Sequence, residues 1–472
     1  MCAYFGKDQD ASLEESPVQF TIIGGGVAGC AAASWAARQG AEVLLINEGL
    51  PLGGHSIHVT ALPSRVMMTA ATEYYRAGHP RFPGVVTETK EIQWDKFTHF
   101  RRELVAEQSR AYFRRVVEDL PNVTLLEGRA RFASPDCLEI NGKTIEFERL
   151  LLTPGSHARP PAIKGINDAG VLALHEFLRQ SKLPKSLFFL GSSPTSLAYA
   201  QALRRFGVEI TLLLEEPWIL SEILEKTTAR TLEKLFVKEG ISLYHDVKYK
   251  KISAEKGTIQ LSFLTGTKAV NIEAETAVYV NHRVPSLEGL NLEKGGVERS
   301  EKGFIFVDET LQTSNQRVFA AGDAIGRGFH ASASAYDAVL ASRNAIVASK
   351  RAGHTTVIPF AIYTDPEFAG VGWNALQARQ SGFEPQEVQV PFRELPAARA
   401  LGYDVGFVQL CRDPHTDQLL GARILGPHAS ELIMEAAIAI RAGMTTAEIS
   451  ALIHPSISLG SALGVACALF QR

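Results

Sequence analysis

The chain has 472 residues, which at about 150 residues per domain points to roughly three domains with several apolar cores. Hydrophobic residues make up 46% and charged residues 21%, a balance that excludes a disordered, collagenous or coiled-coil architecture. Forty-eight Lys plus Arg stand against 51 Asp plus Glu, a net charge of -3; no basic excess points to nucleic acid or an anionic membrane, and small ligands are the expected partners.

Residues 1–17 carry Asp8, Asp10, Glu14 and Glu15 without an apolar core, which fits neither a signal peptide nor an Arg-rich transit peptide. A flexible leader on a cytoplasmic protein is expected. The apolar run Val18–Ile23 then reads as a strand ending in Gly24-Gly25-Gly26-Val27-Ala28-Gly29, followed by an Ala-rich helix and a second strand, Val43–Ile46. This is G-x-G-x-x-G in the strand-turn-helix setting of a dinucleotide fold. Gly24 makes the turn, Gly26 lets backbone approach a pyrophosphate, Gly29 lets helix pack on strand, and the helix amino end supplies N–H groups and a favourable dipole. The carboxylate expected on the ribose diol falls at Asn47, with Glu48 next.

Between positions 64 and 122 a polar stretch punctuated by Trp94, Phe97 and Phe100 reads as long helices joined by the loop Pro80–Gly84, which is expected to control access. A second strand-turn-helix starts at Ser186–Leu190 and continues through Gly191-Ser192-Ser193-Pro194-Thr195-Ser196 to the strand Glu209–Leu214. Only the first of three glycines survives. Ser193 would crowd a pyrophosphate, while its hydroxyl and Pro194 in the first helical turn suit a cap facing a phosphate. Glu215 and Glu216 follow; a carboxylate there favours a free ribose 2′-hydroxyl, hence NADH over NADPH. Near the carboxyl end, Ala462–Phe470, interrupted by Gly464, is too short for the ~20 residues of a membrane span and reads as a buried helix. Cys2, Cys30, Cys137, Cys411 and Cys467 are widely spaced without a C-x-x-C pair, so neither a zinc site nor a disulfide framework is legible.

Two dinucleotide folds in one chain suggest a flavoprotein served by a nicotinamide, and from about Val18 to Phe470 the sequence resembles the class I pyridine nucleotide-disulfide oxidoreductases, mercuric reductase cores most closely. The landmarks are Gly53-Gly54 leading to Leu62-Pro63-Ser64-Arg65, then Thr153-Pro154-Gly155-Ser156, Thr313-Ser314 and Ala320-Ala321-Gly322-Asp323. Further on come Thr364-Asp365-Pro366-Glu367, Arg399-Ala400-Leu401, Gly426 through Ile433, and His454-Pro455. The resemblance implies an α/β fold with two Rossmann-like domains, one for FAD and one for NAD(P), plus an α+β dimerisation domain. Its expected divisions are 18–156 and 285–350 for FAD, 157–284 for NAD(P) and 351–472 for dimerisation. It also implies a homodimer, FAD and NAD(P)H as cofactors, and Asp323 at the ribityl or phosphate region of the flavin.

Members of this family pass electrons to a cysteine pair in the pattern G-G-x-C-x-x-x-x-C-x-P-S-K. Here Ser56 and Ala61 occupy both cysteine positions, and neither side chain can form or break a disulfide. The family lysine is Arg65 and its glutamate partner is Ala198; a guanidinium at position 65 is expected to stabilise negative charge on reduced flavin. The family's H-P-T-x-x-E keeps His454 and replaces the glutamate by Leu459, so His454 is read as an imidazole without a carboxylate partner, able to donate a proton to substrate. His55 and His58 bracket Ser56; no metal site is expected, and His58 is a candidate proton relay. The leading expectation is a FAD-dependent NAD(P)H oxidoreductase whose flavin serves a small acceptor directly. The alternatives are a redox-quiet FAD-binding dimer with a structural or sensing role, and a flavin-mediated transhydrogenase between pyridine nucleotides.

Overall fold

The computed structural model describes residues 19–280, 283–347, 349–353 and 357–471; the leader expected at 1–17 lies outside the described residues. Strand β1 (Gln19–Ile23), helix α1 (Val27–Arg38) and strand β2 (Glu42–Asn47) form the first crossover, with β1 and β2 parallel from Gln19↔Glu42 to Ile23↔Ile46. Helix α1 is built on alanine and packs close to the sheet: a β-carbon on Gly29 would stand 1.8 Å from the Gly24 carbonyl oxygen. Only glycine permits that approach.

β3 (Val123–Glu127) extends this sheet beyond β2, and on the other side β1 pairs with Arg149–Leu152, which pairs with Val318–Ala320. All pairs are parallel. Near-continuous burial of Phe20, Ile22, Leu150, Leu151 and Leu152 is the pattern of a sheet covered on both faces. Between β2 and β3 the chain makes the short α2 (Gly54–His58) and then α3 (Ala61–Gly78) and α4 (Trp94–Phe113), the last two being the long helices expected there.

After the short α5 (Leu174–Phe177), a second parallel sheet runs in the order Ser242–Tyr244, Glu209–Leu213, Ser186–Leu190, Thr276–Tyr279, Leu172–Ala173. It carries α6 (Pro194–Arg205) and α7 (Lys226–Lys238). The chain then returns to the first sheet, where α8 (Ala331–Ile346) lies along α1.

The carboxyl-terminal unit is an antiparallel sheet in the order Phe360–Ile362, Glu367–Gly372, Leu419–Gly426, Phe407–Arg412, Gln386–Pro391. Around it lie α9 (Ala375–Gln380), α10 (Pro396–Ala400), α11 (Ala429–Ala442), α12 (Thr446–Ser450) and α13 (Ser461–Ala468). Helix α13 is the apolar stretch near the carboxyl end; Leu463, Ala466 and Cys467 pack into one core with Val371, Leu410 and Ile433. No helix among the described residues is long and apolar enough to cross a membrane.

The three units meet at Arg205 on α6, whose side chain is only 3% exposed. Its guanidinium donates to Glu239 at 2.8 and 2.9 Å, to Asp365 at 2.9 Å and to Thr72 of α3 at 3.0 Å. Gln201, one turn earlier, donates to the Asp365 carbonyl and accepts from the Asp365 amide, both at 2.8 Å. One helix face thus bonds to all three units.

Candidate functional site

The first glycine turn is open towards ligand and closed towards protein. Gly24 has φ +106°, and a β-carbon there would lie 2.1 Å from the Thr153 carbonyl oxygen, whereas one on Gly26 would meet nothing within 4 Å. Helix α1 has Gly26 as its N-cap and no side-chain cap, so no side chain occupies its first amides, which suit a phosphate. Gly322, also at positive φ, brings a second backbone turn to within 3.5 Å of Ala28, measured to its virtual β-carbon. These features fit the pyrophosphate of FAD.

Two expected contact residues do another job. Asn47 is buried, accepts from the Gly25 amide at 3.1 Å and donates to the Leu50 carbonyl at 3.1 Å. Thr153 is buried as well, and its hydroxyl donates to the carbonyls of Ile23 and Gly24 at 3.0 and 3.1 Å. Both brace the turn from behind. Glu48, one residue past the strand, is exposed, with Arg129 at 3.8 Å.

Gly53 and Gly54, both at positive φ, turn the chain against Gly26: a β-carbon on Gly54 would lie 2.9 Å from the Gly26 α-carbon. This seats α2, with half-buried Ser56, beside the turn. His55 lies with Arg283, whose Nη1 is 3.4 and 3.3 Å from the two ring nitrogens. Burial, helped by the Arg283 charge, pushes the His55 pKa down to about 3, so the ring is neutral. Burial also lowers the His58 pKa, opposed by a contact of 3.3 Å between its Nε2 and the Leu52 carbonyl. Arg283 donates to the Ser156 carbonyl at 2.8 Å and approaches Asp323 at 3.4 Å, and Ser156 donates its hydroxyl to the same Asp323 carboxylate. Asp323 is therefore held in orientation by Ser156 and Arg283. Arg283 has no signal in the sequence beyond lying two residues before Pro285.

Arg65 makes an ion pair with Glu367, and its guanidinium carbon lies 4.5 Å from the Tyr363 ring centroid. Glu367 also accepts from the Ser430 amide and hydroxyl at 3.0 and 2.7 Å. Arg65 is thus held against the carboxyl-terminal unit. Ala198, where a glutamate partner would stand, is buried in one apolar cluster with Met67 and Met68 of α3.

At the second turn Gly191 is at φ +91°, but the helix start closes on itself. Ser193 Oγ accepts from the Ser196 amide at 3.0 Å, and Ser196 Oγ accepts from the Ser193 amide at 2.7 Å. The phosphate-facing cap expected of Ser193 is thus spent within the helix. Ser192 donates to Glu216 at 3.4 Å, and burial raises the Glu216 pKa, with Glu215 adding to the effect.

His454 lies between α12 and α13, and its Nε2 is 2.9 Å from Glu435 Oε1 on α11. The expectation of an imidazole without a carboxylate is corrected: α11 supplies the partner that Leu459 cannot. Among the described cysteines, Cys30 donates its thiol to the Gly25 carbonyl at 3.2 Å, and burial pushes Cys411 and Cys467 up to about 12.

Residues 18–343 match the family described as pyridine nucleotide-disulphide oxidoreductase, and residues 358–466 match its dimerisation domain. Mercuric reductase of Bacillus cereus is 26% identical over 469 residues, covering 99% of this chain and 74% of that protein. Dihydrolipoyl dehydrogenase of Thermus scotoductus is 31% identical over 449 residues, covering 94% and 95% of the two chains. Among solved structures, the HOCl-induced flavoprotein disulfide reductase RclA from Escherichia coli superposes with a TM-score of 0.84 at 23% identity, covering 96% of this chain and 99% of that one. LpdA from Mycobacterium tuberculosis gives 0.86 at 22%, covering 96% and 100%. With the glycine turns, the sheet orders and the family match in agreement, the chain belongs to the pyridine nucleotide-disulphide oxidoreductases, a family of FAD- and NAD(P)-dependent flavoproteins.

Proposed function

We propose that this protein is a FAD-dependent NAD(P)H oxidoreductase that serves a small acceptor, such as a quinone, an electron carrier or oxygen, without a disulfide relay. The observation that carries this reading is the pair Ser56 and Ala61 at the two positions where the family keeps its cysteines. Thiol exchange needs a thiolate, and neither residue has sulfur. Bound FAD supplies the redox chemistry. The chain's residues bind and orient: the amides following Gly26 take the pyrophosphate, Glu48 the ribose, and Asp323, fixed by Ser156 and Arg283, the ribityl chain.

Ser56 and His58 line the acceptor side, and the dimerisation domain supports a homodimer in which the partner subunit's His454 completes it. Glu215 and Glu216 repel the added charge of a 2′-phosphate, which disfavours NADPH relative to NADH even where the adenylate half contributes no binding of its own. A second reading, a FAD-holding dimer that acts without turnover, draws support from the self-capped start of α6.

The test is anaerobic addition of NADH to the FAD-loaded dimer, followed by a quinone. Bleaching by NADH and recovery with quinone are expected. A flavin that dithionite bleaches and neither NADH nor NADPH does contradicts this function and favours the second reading.

A further inference from the structure

The two dinucleotide folds of this chain treat their helix starts in opposite ways. At α1 the N-cap is Gly26, no side chain caps the helix, and the space beside Gly26 is empty. At α6 the N-cap is Ser193, in extended backbone at φ -148° and ψ 161°, and Pro194 is the first helical residue. Four amides around such a turn can in principle grip a phosphate. Pro194 has none to give. The Ser193 amide donates to Ser196 Oγ at 2.7 Å, and the Ser196 amide donates to Ser193 Oγ at 3.0 Å. Of the four residues from Ser193 to Ser196, only Thr195 keeps an uncommitted amide.

The box is rigid as well as complete. Ser196 is fully buried, and its hydroxyl also lies 3.1 Å from the Ser193 carbonyl. Opening it to a ligand would break two hydrogen bonds at once, the amide of each serine to the other's hydroxyl, at about 0.5–1.5 kcal/mol each. The neighbouring charge opposes an anion too: Glu215 and Glu216 follow the adjoining strand, and Glu216 reaches back to Ser192 at 3.4 Å. A pyrophosphate brought here would lose the amide grip and face carboxylates.

We propose that the Ser193–Ser196 box with Pro194 withholds the α6 start from the pyrophosphate, so that nicotinamide donors are held by their nicotinamide-ribose half alone. The donor class is then a reduced nicotinamide in which the adenylate half adds little, and dinucleotide and mononucleotide are bound alike. The proposal rests on the reading of the second fold as the donor site. Its test needs no electron transfer, so a flavin that no nicotinamide reduces would show separately.

The experiment is calorimetric titration of the FAD-loaded dimer with NAD⁺ and with nicotinamide mononucleotide, in wild type and in Ser193→Gly/Ser196→Ala. Glycine remains a tolerated N-cap, at a few tenths of a kcal/mol, and flavin content with a thermal melt verifies the fold. Wild type is expected to bind the two ligands within about threefold of each other, and the opened variant to bind NAD⁺ at least about tenfold tighter with the mononucleotide unchanged. Pro194→Val, which restores one amide and leaves both serines, is expected to gain less than the double variant. A wild type that prefers NAD⁺ by tenfold or more overturns the proposal, as does an opened variant that gains nothing, whether or not wild type binds.

Discussion

His454 Nε2 and Glu435 Oε1 stand 2.9 Å apart, linking the loop before α13 to the middle of α11. A carboxylate at one ring nitrogen fixes the orientation of the imidazole and leaves the other nitrogen to exchange a proton. Glu435→Gln is expected to lower acceptor turnover about tenfold, the scale of a hydrogen bond to a charged group. The melting midpoint should move by only a few degrees, because the Glu435 side chain is 29% exposed. Steady-state kinetics on Glu435→Gln, His454→Gln and the double variant check this, with the two effects expected to be strongly non-additive.

Arg205 gives a stability prediction. Its side chain is 3% exposed, and Glu239 and Asp365 are 10% and 18% exposed. Arg205→Met leaves two carboxylates without their shared cation in a protected site, and loss of one partner from a buried ion pair costs about 3–5 kcal/mol. Urea denaturation of the FAD-loaded protein should show that loss, while Arg204→Met should cost much less.

Acid sensitivity follows from His55. The folded chain keeps this ring neutral down to about 3, whereas an unfolded chain protonates it near 6.5. Between those values the unfolded state binds more protons, so this contribution is complete above about pH 6.5 and is lost as the pH falls towards 3. The slope from this one group is at most about 1.4 kcal/mol per pH unit. His55→Gln should flatten the curve of denaturation midpoint against pH over that window.

The apolar residues left exposed on the carboxyl-terminal unit predict where a second copy docks. Ile438 is 63% exposed, Ile453 99% and Ile457 69%, and Ile453 adjoins His454. Ile438→Asp with Ile453→Asp should convert a dimer to a monomer in sedimentation analysis, and acceptor turnover should fall with it while FAD stays bound.

Much of the fold is legible locally. The first glycine turn, its strands and its alanine helix are contiguous, and each step constrains the next. The misreadings arise where partners are distant or where one pattern serves two ends. Glu435 lies 19 residues before His454 on another helix, so no spacing rule joins them, and Glu367 reaches Arg65 across 302 residues. Asn47 looks like a ribose ligand because it ends β2, yet the turn draws its side chain inward. Serine at 193 and 196 has the spacing of a capping box, and in the sequence that spacing does not say whether the hydroxyls face a phosphate or each other.

The most direct measurement is the long-wavelength absorbance of the FAD-loaded protein as two electrons are added without oxygen. With serine at 56 and alanine at 61, where the proposed function has no thiol, bleaching should proceed with no thiolate-to-flavin charge-transfer band at any stage. Appearance of that band, and its loss on alkylating a cysteine, would contradict a flavin that works without sulfur.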